Sequence, residues 1–308
     1  MKKKFINETS IEGVLYEHNL EKKVTGETSK NPGTTYISGS ISIATDENMT
    51  NVVNVYYTYV TALTSKKTPN RIYNELDNII NGKYKAFVDL EEGHKPVRLR
   101  VSSKLALREW YDPNNDGFVS IKRNDGGFIN VITNDNDYSP NATFKTDMIV
   151  TSAVRIPEDE EKGTPEKVVV KGVIFDDYRK AILPYDFTAL HSGAMDYFEG
   201  LDASPKHPVF TCLWGKQVSS TVVTTKTEES AFGEDRIENY TSTRKDFVIT
   251  GGKKEPYEWD DESTILATEL KDMMQDRETY LATEKQRSID YQNSSKASTA
   301  KSDDVYNF

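Results

Sequence analysis

TTYISGSISIATDENMTNVVNVYYTYVT, residues 34–61, sets two runs of β-branched and aromatic residues on either side of a polar turn, Asp46-Glu47-Asn48-Met49-Thr50-Asn51. In the first run Ile37, Gly39, Ile41 and Ile43 alternate with Tyr36, Ser38, Ser40 and Ser42. A period of two puts the isoleucines on one face of a strand and the small polar groups on the other. The second run sets Val53, Val55, Tyr57 and Tyr59 against Val52, Asn54, Tyr56 and Thr58, so both of its faces carry bulk. One face packs on a core and tyrosines stay on the other. The pair reads as an antiparallel hairpin. Its polar face, with Tyr36, Tyr57 and Tyr59, is a platform for a flat ligand.

Residues 10–25 read as a strand before this hairpin, through a turn-forming loop at 26–33. Pro69 and Asn70 lead into a helix over 71–81, with Ile72, Leu76, Ile79 and Ile80 at helical spacing and Gly82 as the stop. Three strands followed by a helix is how a five-stranded Greek-key OB barrel begins. Alternating runs at 97–101 and 105–111, a turn at 112–117 and returns at 118–122 and 128–133 complete the region as strands plus an extra hairpin. The loop NDNDYSPN at 134–141 marks a boundary.

Beyond it, strands are predicted at 143–156, 168–175, 181–188, 208–225 and 239–250, with a short helix at 190–201. This order resembles that of the first region, without sequence identity, and predicts a repeat of architecture. Residues 260–291 read as a helix with an acidic, cap-competent start, followed by a Ser/Lys/Ala/Thr tail. The expected fold is mainly β: OB-like Greek-key barrel domains at 1–141 and 142–252, a C-terminal helix at 253–291, and a disordered tip at 292–308.

Composition narrows the function. The 308 residues hold 36% apolar and 29% charged side chains, enough for sizeable cores. The net charge of -10 argues against a duplex-DNA binder but leaves room for local basic grooves, because acids bunch at 158–161 and 258–262. The single cysteine, Cys212, excludes an internal disulfide framework and a Cys-rich zinc site, and reads as a buried structural thiol. MKKKFINETSIEG at the N-terminus has no apolar stretch after its lysines, and no run reaches the roughly 18 apolar residues of a membrane span. A cytoplasmic protein without membrane contact is expected.

Nothing points to catalysis, a cofactor or a metal. The four histidines are scattered, and no GxSxG, GxxxxGK[ST] or GxGxxG occurs. Residues 112–117, DPNNDG, open like an EF-hand loop, but Arg123 stands where a bidentate Glu is needed and the flanks read as strands. A hairpin turn accounts for them.

The positive signal is the interleaving of cations and aromatics on strands. Arg98 and Arg100 share a face, as do Arg108 and Trp110; Lys122, Arg123 and Phe128 follow. In the second region Lys171, Tyr178, Arg179, Lys180, Tyr185, Phe187, Trp214 and Lys216 mix in the same way. Single-stranded nucleic acid needs cations for phosphates and aromatic faces for unpaired bases.

With these residues in view, the chain resembles the single-stranded DNA-binding proteins of bacteriophages and related elements of Gram-positive bacteria. The resemblance rests on YISGSISIATDENMTNVVNVYYTYV (36–60), KRNDGGFINVI (122–132), TFKTDMIVTSAVRIPEDEEKG (143–163) and VVVKGVIFDDYRKAILPYDFTA (168–189). It continues through SAFGEDRIENYTSTRKDFVITGG (230–252), PYEWDDES and DRETYL (276–281). It implies OB-fold domains that bind single-stranded DNA, without catalysis, in replication or recombination. The last residues, with Asp303, Asp304, Tyr306 and Phe308, resemble tips that recruit partner enzymes, although the tail lacks strong acidity. Two other readings stay open on sequence: a β-rich virion or assembly protein, and an RNA-binding OB protein.

Overall fold

The computed structural model of the protein describes residues 4–159, 164–176, 181–228, 232, 236–259 and 265–303. In chain order these form β1 (Asn7–His18), β2 (Glu21–Val24), β3 (Thr35–Ala44), β4 (Val52–Thr61), α1 (Arg71–Ile80), β5 (Arg98–Asp112) and β6 (Gly117–Val131). There follow β7 (Asn141–Ile156), β8 (Lys167–Asp176), β9 (Ala181–Ala189), α2 (Ser192–Gly200), β10 (Val209–Glu228), β11 (Arg236–Gly252) and α3 (Ala267–Asp303). The protein is mainly β, and the 11 strands among the described residues form one mixed sheet.

Strand pairing closes that sheet on itself twice. In the first circuit β1 pairs with β3, β3 with β4, β4 with β6 in parallel, β6 with β5, and β5 with β1. In the second, β7 pairs with β8, β8 with β9, β9 with β11 in parallel, β11 with β10, and β10 with β7. Each circuit carries its helix between its third and fourth strands, the arrangement of an OB barrel. The two halves thus share one topology. They are joined by antiparallel pairing of their first strands, β1 and β7, from Asn7↔Thr146 to Glu12↔Asn141.

Local chemistry explains the elements. Asn70 caps α1 by accepting a hydrogen bond from the Ile72 N–H, and Leu76 and Ile79 bury the inward face beneath the first barrel. Gly82, at φ +72°, ends the turn in a conformation that costs glycine little. The first core gathers Ile11, Leu15, Ile37, Ile41, Val55 and Leu99. The stretch expected as one strand over 10–25 is broken after His18, and only 21–24 pairs again, on the edge of β3.

The runs at 97–101 and 105–111 prove to be one strand, β5, and its return is also continuous. Their far half does not cap the first barrel: Leu105 and Leu107 enter the second core beside Phe144, Phe187 and Leu213. Here β5 and β6 form an arm reaching from one barrel across the other. A third cluster, around Phe175 and Phe210, is covered by Phe5, Trp259, Ile265 and the first turns of α3. Fully buried Asp147 fixes this layer, accepting from the Ile6 N–H at 2.9 Å and the Tyr257 hydroxyl at 3.1 Å. Helix α3 starts after the Asp260–Ser263 segment, which lies outside the described residues. It is assigned to Asp303.

The arm tip is fastened to α3. Lys285 sits 2.8 Å from Asp116 and over the Tyr111 ring at 4.7 Å, and the Tyr111 hydroxyl donates to Asp116. The Lys285 ammonium, then the Tyr111 hydroxyl, hold the Asp116 carboxyl below its ordinary value of 3.8. A depressed carboxylate contributes stability above that ordinary value and loses it as pH falls through the lower folded one. Wild-type melting temperature should therefore exceed that of Asp116→Asn near neutral pH, with the gap closing as pH drops from about 5 to about 3. A gap constant across that window would show that Asp116 contributes no such linkage.

Candidate nucleic-acid interface

Alternation along β5, broken only where small Ala106 is buried between Leu105 and Leu107, decides what its arm displays. Leu99, Val101, Leu105, Leu107 and Tyr111 are buried, so Arg98, Arg100, Ser102, Lys104, Arg108 and Trp110 lie on the opposite side of one 15-residue strand. Cross-strand partners share a face, and Arg108 lies opposite Ile121, Trp110 opposite Val119 and Ala106 opposite Arg123. The outward face of the arm is therefore Trp110, Val119, Arg108 and Ile121 in succession, and Arg123 continues the row with its side chain only 14% exposed. Arg108 stands over the Trp110 ring at 5.5 Å, and Trp110 remains 39% exposed. Arg108 forms no ion pair among the described residues. Glu109, on the other side, is turned towards α3. Pleating thus separates acid from base on a chain that is acidic as a whole.

The face continues onto the first barrel. Arg123 lies over the Tyr56 ring at 5.7 Å, is 3.4 Å from the Thr58 hydroxyl and pairs with Asp125 at 2.9 Å. Tyr56 enters because β6 runs parallel to β4, with Tyr56 beside Asp125. Tyr56 was not among the candidates read from sequence. Its signal was its place on the outer phase of β4 with Asn54 and Thr58.

The tyrosine platform is corrected by a bulge. Ile37 pairs with Val60 but Gly39 with Tyr57, so β4 holds one residue more than β3 between these pairs and its phase switches. Tyr57 turns into the first core, 2% exposed, its hydroxyl donating to the Gly127 carbonyl at 3.4 Å, and burial pushes its pKa up. It offers no face for a base. Tyr59 emerges instead and pairs with half-buried Tyr36, ring centroids 4.7 Å apart.

Other candidates are engaged. Arg98 pairs with Asp135 and covers the Tyr138 ring at 4.3 Å. Arg100 binds buried Glu12 at 2.5 Å and the Asp137 carbonyl at 2.9 Å. These two arginines hold the loop before β7, and their charge is met within the chain. Lys122, opposite Leu107, faces the second barrel rather than sharing the Arg123 side; it bonds Asp186 at 2.7 Å over the Tyr185 ring. Lys171 is exposed opposite Asp186. Tyr185 and Phe187 are core residues, because the second core closes over that face of β9. Tyr178, Arg179 and Lys180 lie outside the described residues, as do Asp304, Tyr306 and Phe308; Asp303 ends α3. Cys212 is buried, and among the described residues no three His, Cys, Asp or Glu side chains are grouped to hold a metal. No helix there is long and apolar enough to cross a membrane.

Phe128 and Trp214, from opposite halves, come to one groove of about 1290 Å³ along the β1–β7 seam. Gly126 and Gly127, at φ +66° and +132°, form the bulge that sets Phe128 opposite Ser102 while Asp125 pairs with Lys104. A Cβ on Gly127 would lie 2.2 Å from the Ser102 carbonyl oxygen, so this crossing needs glycine.

A family model described as YorF matches residues 6–287. Among solved structures, the chain is similar to the wild-type single-stranded DNA-binding protein from Thermus aquaticus, at 11% sequence identity and a TM-score of 0.47, covering 83% of this chain and 95% of that one. A deletion mutant of the same Thermus aquaticus protein matches at 11% identity and a TM-score of 0.48, covering 82% and 96%. No curated protein matches the chain.

Proposed function

The chain belongs to the YorF family, and we propose that it binds single-stranded DNA with little sequence preference, without catalysis, in replication or recombination. The observation that carries this reading is the outward face of the arm, where Arg108, without an ion pair among the described residues, lies over exposed Trp110. Unpaired bases stack on such a ring whatever their identity, and the guanidinium beside it meets the phosphates. The position agrees with the fold. The β5–β6 arm connects the fourth and fifth strands of an OB barrel, and that connection with the second and third strands is where such barrels take oligonucleotides.

The test is fluorescence anisotropy of a labelled oligo-dT, titrated at two salt concentrations beside a duplex of the same length. Binding should favour the single strand, and log K should fall with log salt by about 0.7 for each phosphate contacted. Arg108→Ala should make the slope shallower by about 0.7. Equal affinity for duplex, or binding indifferent to salt, would sink the reading.

A further inference from the structure

The join between the barrels carries a second set of groups with the same chemistry. Direct cross-strand pairing places Phe128, Ser102, Ser10, Thr143 and Lys216 in one row across β6, β5, β1, β7 and β10. The adjacent row holds Glu8, Lys145 and Trp214. Residues so paired share one face, and all eight line the groove. Its floor is hydroxyl groups, and its two flanks are aromatic: Phe128 is 61% and Trp214 41% exposed. Trp214 lies against the bare α-carbon of Gly251, where a Cβ would come within 2.5 Å of its indole nitrogen.

Four lysines reach this groove against two acids, Glu8 and Asp125. Asp125 is paired with Arg123, and Lys104 with Asp176. Lys145 and Lys216 are exposed and form no ion pair among the described residues.

We propose that this seam holds a length of the single strand bound by the arm, so that both barrels form one continuous track. Bases stack on Phe128 and Trp214, Lys145 and Lys216 meet phosphates, and Ser10, Ser102 and Thr143 donate to backbone oxygens. The inference rests on the single-strand reading above. Charge favours that occupant, and β5 connects the two surfaces, carrying Ser102 in the seam and Arg108 and Trp110 on the arm. Four strand spacings of about 4.8 Å separate the Phe128 and Lys216 strands, roughly the rise of six stacked nucleotides.

The experiment uses the full chain with a labelled dT of about 20 nucleotides, several times that rise. Phe128→Ala and Trp214→Ala should each lower affinity roughly five- to 150-fold, and Phe128→Tyr should restore it. Lys145→Ala with Lys216→Ala, both exposed and independent of any packing change at the rings, should flatten the salt slope by about 1.4. If these variants bind like wild type while Trp110→Ala binds weakly, the seam is off the track and only this inference falls. A changed oligomeric state by light scattering, with affinity intact, would assign the groove to a second copy and overturn it too. Failure of the wild type to bind dT at low salt overturns both readings.

Discussion

Arg277→Ala is expected to lower the unfolding free energy by about 3–5 kcal/mol, measured by urea denaturation. Arg277 reaches from α3 to Glu109 on the arm through two bonds, at 2.5 and 3.0 Å. The side chains are only 15% and 9% exposed. Removing the guanidinium strands a carboxylate that has little access to water, and that desolvation is the source of the large cost. Replacing both members, as Glu109→Leu with Arg277→Met, removes the stranded charge and should recover most of the loss. A single variant that loses under about 1 kcal/mol would show that the pair behaves like a surface salt bridge.

Trp110→Ala should do the opposite: little change in stability, and a loss of about 1–3 kcal/mol in affinity for oligo-dT. Trp110 is one residue from Glu109, yet pleating puts it on the solvent side, where it touches Arg108 rather than the core. Trp110→Phe keeps an aromatic face and should retain most of the binding. Anisotropy on the two variants, with unfolding curves to show both are native, separates stacking from scaffold damage. Wild-type affinity in a folded Trp110→Ala protein would remove the arm from the binding surface.

The contrast between these neighbours shows what was readable in advance. The pairing of Arg108 with Trp110 on one face follows from a period of two. That their face looks outward does not, because the run Leu105 to Tyr111 has no local feature naming the barrel it covers. Leu105 and Leu107 pack with Phe144 and Phe187, far along the chain. Likewise Arg98 and Arg100 have the spacing of phosphate ligands, but Asp135 and Glu12 meet them through contacts that sequence order conceals. Phe128 and Trp214 were both legible as candidate stacking aromatics on strands; their exposure and their convergence on one groove were not.

The sequence alone determined the elements: the alternating isoleucines of β3, the Asn70 cap and Gly82 stop of α1, the strand order that repeats around α2, and the absence of any familiar catalytic signature. Each depends on neighbours within a few residues, where propensity and periodicity act. Tertiary structure decided the faces. The extra residue in β4 sends Tyr57 inward and Tyr59 outward, the β1–β7 pairing fuses two barrels along a seam, and α3 pins an arm from the first half over the second. Those outcomes depend on register and on burial between distant segments. A one-residue change of phase exchanges the two sides of a strand while leaving its hydrophobic pattern almost unaltered.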